Sequence, residues 1–237
     1  WYGRDSGMVA GWIVRFLRGA RGGEIDRLSA AIRFETVHRD APGAQAADGR
    51  GAATTEVHTV FDRFEAFLRT TFPRLHEVCT VEAVGDPGLL CTWAGSDPDL
   101  APLLFLAHYD VVPADEAGWR YPPFSGAIAD GCVWGRGTLD DKGLLMALLE
   151  ATERLLGEGF APRRTIMIAL GGDEETSGLR GAARIAGELA RRGMVSHATF
   201  DEGSIVAEGM LPFVKRPLAL IGTAEKGYLD VTVAAEE

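Results

Sequence analysis

The chain reads as an α/β protein, a three-layer α/β/α arrangement around a mostly parallel central sheet. Three observations predict this. Short apolar runs bounded by polar breakers, such as LLFLA at 103–107 and RTIMIAL at 164–170, have the length and the β-branched or large apolar content of buried strands. Amphipathic stretches with helical spacing lie between them. Strand and helix patterns alternate, and alternation of this kind folds as a sheet covered by helices on both faces.

Residues 8–23 (MVAGWIVRFLRGARGG) are apolar, then basic. The apolar part is too short to span a bilayer, and its charges follow it where a secretion signal would have them first. Residues 1–23 are therefore expected to form an N-terminal arm, with contact to a membrane surface as the weaker alternative. Trp1 is not an initiator residue, which suggests a cut N-terminus or translation from upstream of Met8. In 24–34 (EIDRLSAAIRF), Ile25, Leu28 and Ile32 recur at helical spacing, and the Gly-, Ala- and Asp-rich 34–54 reads as loop. Residues 55–72 carry the strongest helical stripe, Val57, Val60, Phe61, Phe64, Phe67 and Leu68, which Pro73 should end.

Residues 76–84 alternate polar and apolar and are expected to form a strand with one wet face, paired hairpin-fashion with a strand at 89–94. A turn at 96–100 precedes the buried strand 103–107. Residues 119–134, with Pro122 and Pro123, read as an irregular aromatic loop. A helix at 142–156 turns Leu144, Leu145, Leu148, Leu149 and Leu155 inward. The strand 164–170 follows, then a helix at 179–192 and a short strand ending at Phe200. Residues 218–223 and 228–234 are the last two strand patterns.

Composition excludes some functions. The chain has 237 residues, 46% apolar and 24% charged, ordinary for a globular protein. A formal charge of −10 argues against a nucleic-acid surface. Cys79, Cys91 and Cys132 have no paired spacing, so no disulfide framework is expected and each reads as a small buried residue.

The candidate chemistry lies at strand ends. His108 and Asp110 close the run 103–107; Asp140 and Asp141 sit in GRGTLDDKG at a helix start; Glu174 and Glu175 follow 164–170 in GGDEETSG; Asp201 and Glu202 follow Phe200. Each has an ordinary explanation: a satisfied structural histidine, an N-cap aspartate, a solvated acidic loop. GRGTLDDKG lacks the spacing of a phosphate-binding GxxxxGK[ST] loop, and two carboxylates would repel a phosphate. Four such places, three strand ends and a helix start, that all deliver imidazole or carboxylate are harder to explain singly. Adjacent carboxylates repel unless a cation lies between them, so the cluster points to metal, and a nitrogen-and-oxygen donor set suits Zn²⁺, Mn²⁺ or Co²⁺. A bridging carboxylate would hold two ions about 3.5–4 Å apart, the arrangement of a metallohydrolase.

The series HYD, GRGTLDDKG, GDEE and FDEG resembles the co-catalytic zinc metallopeptidase family of carboxypeptidase G-type enzymes, aminoacylases, succinyl-diaminopimelate desuccinylase and Gly-Xaa carboxypeptidases. RLSAAIRFETV, GWRYPPFSG and GTAEKGYLDV resemble the Gly-Xaa carboxypeptidase branch. The resemblance implies a phosphorylase/hydrolase-like zinc peptidase catalytic domain over 24–224, with 225–237 as the first strand of a lid domain that is otherwise missing. It implies that His108, Asp140, Glu175 and Asp201 bind metal, with Asp140 bridging two Zn²⁺ ions through an unusual cis peptide to Asp141. Asp110 would orient His108, and Glu174 would be the general base. The substrate would be a small peptide or N-acyl amino acid with a free carboxylate. No nucleic acid or membrane partner is implied, and a homodimer would form through the lid. The family's late His ligand has no counterpart here, so an N-terminal fragment of a longer enzyme is expected, and with no signal-peptide pattern read in the sequence a cytoplasmic location is expected. The alternatives are an inactive metal-binding piece and a related zinc aminopeptidase.

Overall fold

The computed structural model describes residues 23–38, 53–203, 206–207, 209 and 211–224, with the backbone alone for 53–59 and 206–207. Residues 1–22 of the predicted arm, much of the loop 34–54, Val57 of the helical stripe and the predicted lid segment 225–237 with its strand pattern at 228–234 lie outside the described residues or side chains. The chain divides into two compact units, Trp1–Asp201 and Glu202–Glu237.

In the first unit, α1 (Glu24–Ile32) and α2 (Ala53–Thr71) form where apolar residues recur every three to four positions. Pro73 ends α2 and also opens α3 (Pro73–Val78), because proline lacks the N–H that the first helical turn leaves unused. The strand expected at 76–84 is therefore shorter: residues 76–78 are helical, and β1 is Thr80–Ala83. It pairs antiparallel with β2 (Gly88–Trp93). β3 (Leu103–His108) comes next. The aromatic loop contains a small antiparallel hairpin, β4 (Ala127–Ala129) and β5 (Cys132–Trp134). α4 (Lys142–Gly157), β6 (Ile166–Gly171), α5 (Ala182–Arg191) and β7 (Ala198–Phe200) complete the unit.

The sheet order is β1-β2-β6-β3-β7. β6, β3 and β7 are parallel neighbours, and β2 alone runs against the rest. Alternate residues of each strand serve opposite faces. On one face Leu89, Cys91, Ala107, Ile168 and Leu170 pack with Phe61, Phe64, Leu68, Leu75, Leu145 and Leu149 from α2, α3 and α4. On the other, Leu90, Met167 and Ala169 meet Ile185 and Leu189 of α5. These are the three predicted layers. One inward assignment fails: Leu144 is 41% exposed, because it lies a third of a turn from Leu145 and off the buried stripe. All three cysteines are buried and unpaired.

In the second unit, β8 (Val206–Ala207) pairs antiparallel with β9 (Leu218–Ala219). The strand expected over 218–223 is thus confined to its first two residues. Among the described residues, no helix is long and apolar enough to cross a membrane.

Candidate metal centre

The site is built where parallel strands end. β3 and β6 run in register to their last residues, His108 opposite Gly171, and the Tyr109 N–H continues the pairing onto the Gly171 carbonyl at 2.9 Å. The carboxyl ends of such strands are the crevice where open α/β sheets hold ligands. His108 is the last residue of β3, Glu174 and Glu175 begin a 3₁₀ turn (Glu174–Thr176) three residues after β6, and Asp201 directly follows β7.

Asp110 is fully buried and joins two of these tips. Its carboxylate accepts the backbone N–H groups of Glu174 at 3.1 Å and Glu175 at 3.0 Å. One of the same oxygens lies 3.3 Å from His108 Nδ1, which is also 3.1 Å from the Asp110 carbonyl oxygen. Both partners of Nδ1 are acceptors, so Nδ1 carries the hydrogen and Nε2 is the atom presented to the site. Nε2 lies 2.9 Å from Asp140 Oδ1 and 3.8 Å from Glu174 Oε2.

Asp140 and Asp141 are joined by a cis peptide, as the resemblance implied. Asp141 is the N-cap residue of α4, but its side chain does not cap the helix. It is buried, and its carboxylate accepts the His108 backbone N–H at 3.2 Å. The capping explanation therefore fails for Asp141, which ties the helix start to the end of β3.

His108, Asp140 and Glu175 offer ligand atoms that all lie within 4.8 Å of one another. One imidazole and two carboxylates at that spacing fit a divalent cation. Asp201 lines the same cavity of ≈370 Å³ as His108 and Glu174, without joining the group of three. Two buried residues that sequence reasoning passed over lie beside these groups in the chain. Asp173 is buried, and its carboxylate accepts the N–H groups of Arg180 at 2.7 Å and Gly181 at 2.8 Å, closing the loop that carries Glu174 and Glu175. Lys142 is fully buried beside Asp141. Only the crowding of acidic and basic residues inside GGDEETSG and DDKG could have flagged them.

The electrostatics match this crowding. Burial alone would lower the His108 pKa, but hydrogen bonds to Asp110 and Asp140 overcome it and raise the imidazole to about 11. Burial lifts Asp141 to about 7 against the opposing pull of the His108 N–H, and raises Glu174 and Glu175 above the usual carboxylate range. Burial also pushes the Cys79 thiol to about 11 and Cys91 to about 12, so neither is a ready thiolate ligand.

Residues 104–218 match the family described as Peptidase family M20/M25/M40. N-fatty-acyl-amino acid synthase/hydrolase PM20D1 of Bos taurus is 44% identical over 175 residues, 73% of this chain and 35% of that protein. Carboxypeptidase S of Saccharomyces cerevisiae is 42% identical over 224 residues, 90% of this chain and 37% of that protein. Among solved structures, human carnosine dipeptidase 1 aligns with a TM-score of 0.62 at 19% identity, over 84% of this chain and 42% of that one. The M20 family metallo-carboxypeptidase Sso-CP2 from Sulfolobus solfataricus aligns with a TM-score of 0.57 at 22% identity, over 78% and 38%. These two likenesses concern the fold. The chain spans about a third of the length of the curated relatives it matches.

Proposed function

Since the chain belongs to peptidase family M20/M25/M40, we propose that it is the metal-binding part of a di-zinc hydrolase that cleaves the amide bond of a peptide or N-acyl amino acid bearing a free carboxylate. The observation that carries this reading is the convergence of His108 Nε2, Asp140 and Glu175 at the ends of β3 and β6 and the start of α4. The two curated relatives add support for the substrate class. Their names speak of an N-fatty-acyl-amino acid and of a carboxypeptidase, and both kinds of substrate carry an amide next to a free carboxylate.

In this proposal His108, Asp140, Glu175 and Asp201 would hold the cations. Divalent ions there supply a Lewis acid for the scissile carbonyl and lower the pKa of water. The protein does the rest. Asp110 keeps the hydrogen of His108 on Nδ1 and fixes the backbone that carries Glu174 and Glu175. Glu174 takes the proton of the attacking water and returns it to the departing amine. Burial raises its pKa, which brings its basicity closer to working pH and improves it as a general base. A cytoplasmic location and dimerisation through a lid belong to the same proposal.

The test is hydrolysis of N-acyl amino acids and of peptides with free or amidated carboxyl ends, by the protein that carries this chain. Turnover of the free-carboxylate substrates is expected. Glu174→Gln should lower kcat by about 10²–10⁴-fold while zinc content stays at the wild-type level. Turnover retained in Glu174→Gln removes Glu174 from the role of base, and equal turnover of amidated substrates removes the free-carboxylate requirement.

A further inference from the structure

We propose that Lys142 is a positioning residue for the metal centre, holding the Asp140–Asp141 side of the site at a fixed distance from the His108–Asp110 side; this rests on the metal-site reading above. A lysine at the first position of a helix is badly placed, since the positive end of the helix dipole repels a cation. Lys142 occupies that position in α4 and is fully buried as well. Its side chain leaves its own helix. The amine donates to the carbonyl oxygens of Phe34 at 2.6 Å and Ala31 at 3.3 Å, and it lies 5.0 Å from the centre of the Phe64 ring. Those carbonyls are at the end of α1, where a helix has acceptors to spare and favours a cation.

The segment so anchored reaches the other half of the site two residues later. The Thr36 hydroxyl donates to the Tyr109 carbonyl, the Val111 N–H donates to the Thr36 carbonyl at 3.0 Å, and Val37 bridges Val111. Tyr109 and Val111 flank Asp110, whose carboxylate holds His108 Nδ1 and the backbone of Glu174 and Glu175. Gly137 fits between the two halves: a Cβ there would stand 2.7 Å from Val111 Cγ1 and 3.5 Å from Lys142 Cδ. The path thus runs from Asp141 through Lys142, the end of α1 and Thr36 to Asp110, with buried or backbone groups at each step.

A clamp that only joins α1 to α4 would affect stability and leave the metal alone. A positioning residue affects the metal. Removing a group that orients metal ligands costs about 10–100-fold in affinity. The experiment titrates Co²⁺ into the 237-residue chain and follows its visible absorption, with thermal unfolding measured in parallel. Lys142→Met keeps the side-chain length over Phe64 and removes the donor. It is expected to weaken Co²⁺ at least tenfold and to change the band shape. Leu149→Ala, two turns along the same helix and buried against the sheet, is expected to lower the melting temperature and keep Co²⁺ affinity within twofold of wild type. Should Lys142→Met fail to fold, Thr36→Val cuts the path at its other end and is expected to weaken Co²⁺ several-fold. A folded Lys142→Met, or in its place Thr36→Val, that binds Co²⁺ within twofold of wild type overturns the proposal. Absence of Co²⁺ binding by the wild-type chain instead overturns the metal-site reading itself.

Discussion

At the scale of single residues, Asp110 does more than the motif announces. HYD suggests a carboxylate that orients an imidazole, and the structure adds the two backbone N–H groups of Glu174 and Glu175 to its acceptors. Asp110→Ala strands both donors beside a buried histidine. A hydrogen bond to a charged group contributes about 1.5–3 kcal/mol, so loss of these two should cost Asp110→Ala about 3 kcal/mol or more of stability in chemical denaturation. The pH dependence of metal binding follows from His108. Its folded pKa is raised above the unfolded value, so in the metal-free chain its contribution to stability is full below pH 6.5 and is lost as pH rises toward about 11. Asp141, raised to about 7, likewise favours the metal-free fold at low pH and ceases to do so as pH climbs from about 4 through 7. A cation must displace the His108 proton, so Zn²⁺ should bind about tenfold more tightly per pH unit for each proton released. The rise in melting temperature on adding Zn²⁺ should accordingly be larger at pH 8 than at pH 6; an equal or smaller rise contradicts this. The sequence made His108, Asp140 and Glu175 legible because each terminates a strong apolar run or precedes one. Asp141 and Asp173 were harder to read, because a buried aspartate that accepts backbone N–H groups has the same local pattern as a cap or a wet loop.

At the scale of elements, the helices that face the sheet were readable from their stripes, and β2, β3 and β6 from their apolar runs. The misreadings have specific causes. Pro73 looked like a terminator, yet it also starts α3, and the alternation that marks β1 is genuine only from Thr80 onward. The hairpin β4–β5 was hidden by its three-residue strands, too short to show a period, and by turn signals at Asp130 and Gly131, the first of which has φ of 53°. The start of α4 carries a prediction at this scale. A Cβ on Gly143 would run into the Thr138 carbonyl oxygen, so the glycine of DDKG is required by a close approach of backbone. Gly143→Ala should displace the Asp140–Asp141 turn, lower the melting temperature and weaken Zn²⁺ binding together. A variant with unchanged melting temperature and unchanged affinity would show that the helix start accommodates the methyl group freely.

At the scale of the whole molecule, the layers explain why the site is where it is. β3, β6 and β7 are parallel neighbours, so their carboxyl ends come out on one side, and the connections after β3 and β6 bring Asp140 and Glu175 back to His108. The alternation of strand and helix patterns made this architecture readable. The reversed direction of β2 followed from the hairpin with β1, but its place next to β6 did not, because strand order depends on contacts across the sheet that no local period encodes. The most direct test is anomalous diffraction from crystals of the chain soaked in Zn²⁺. The account predicts a zinc peak about 2.0–2.2 Å from His108 Nε2 and from carboxylate oxygens of Asp140 and Glu175. A soaked crystal with no peak at that position, or with zinc held by other residues instead, contradicts it.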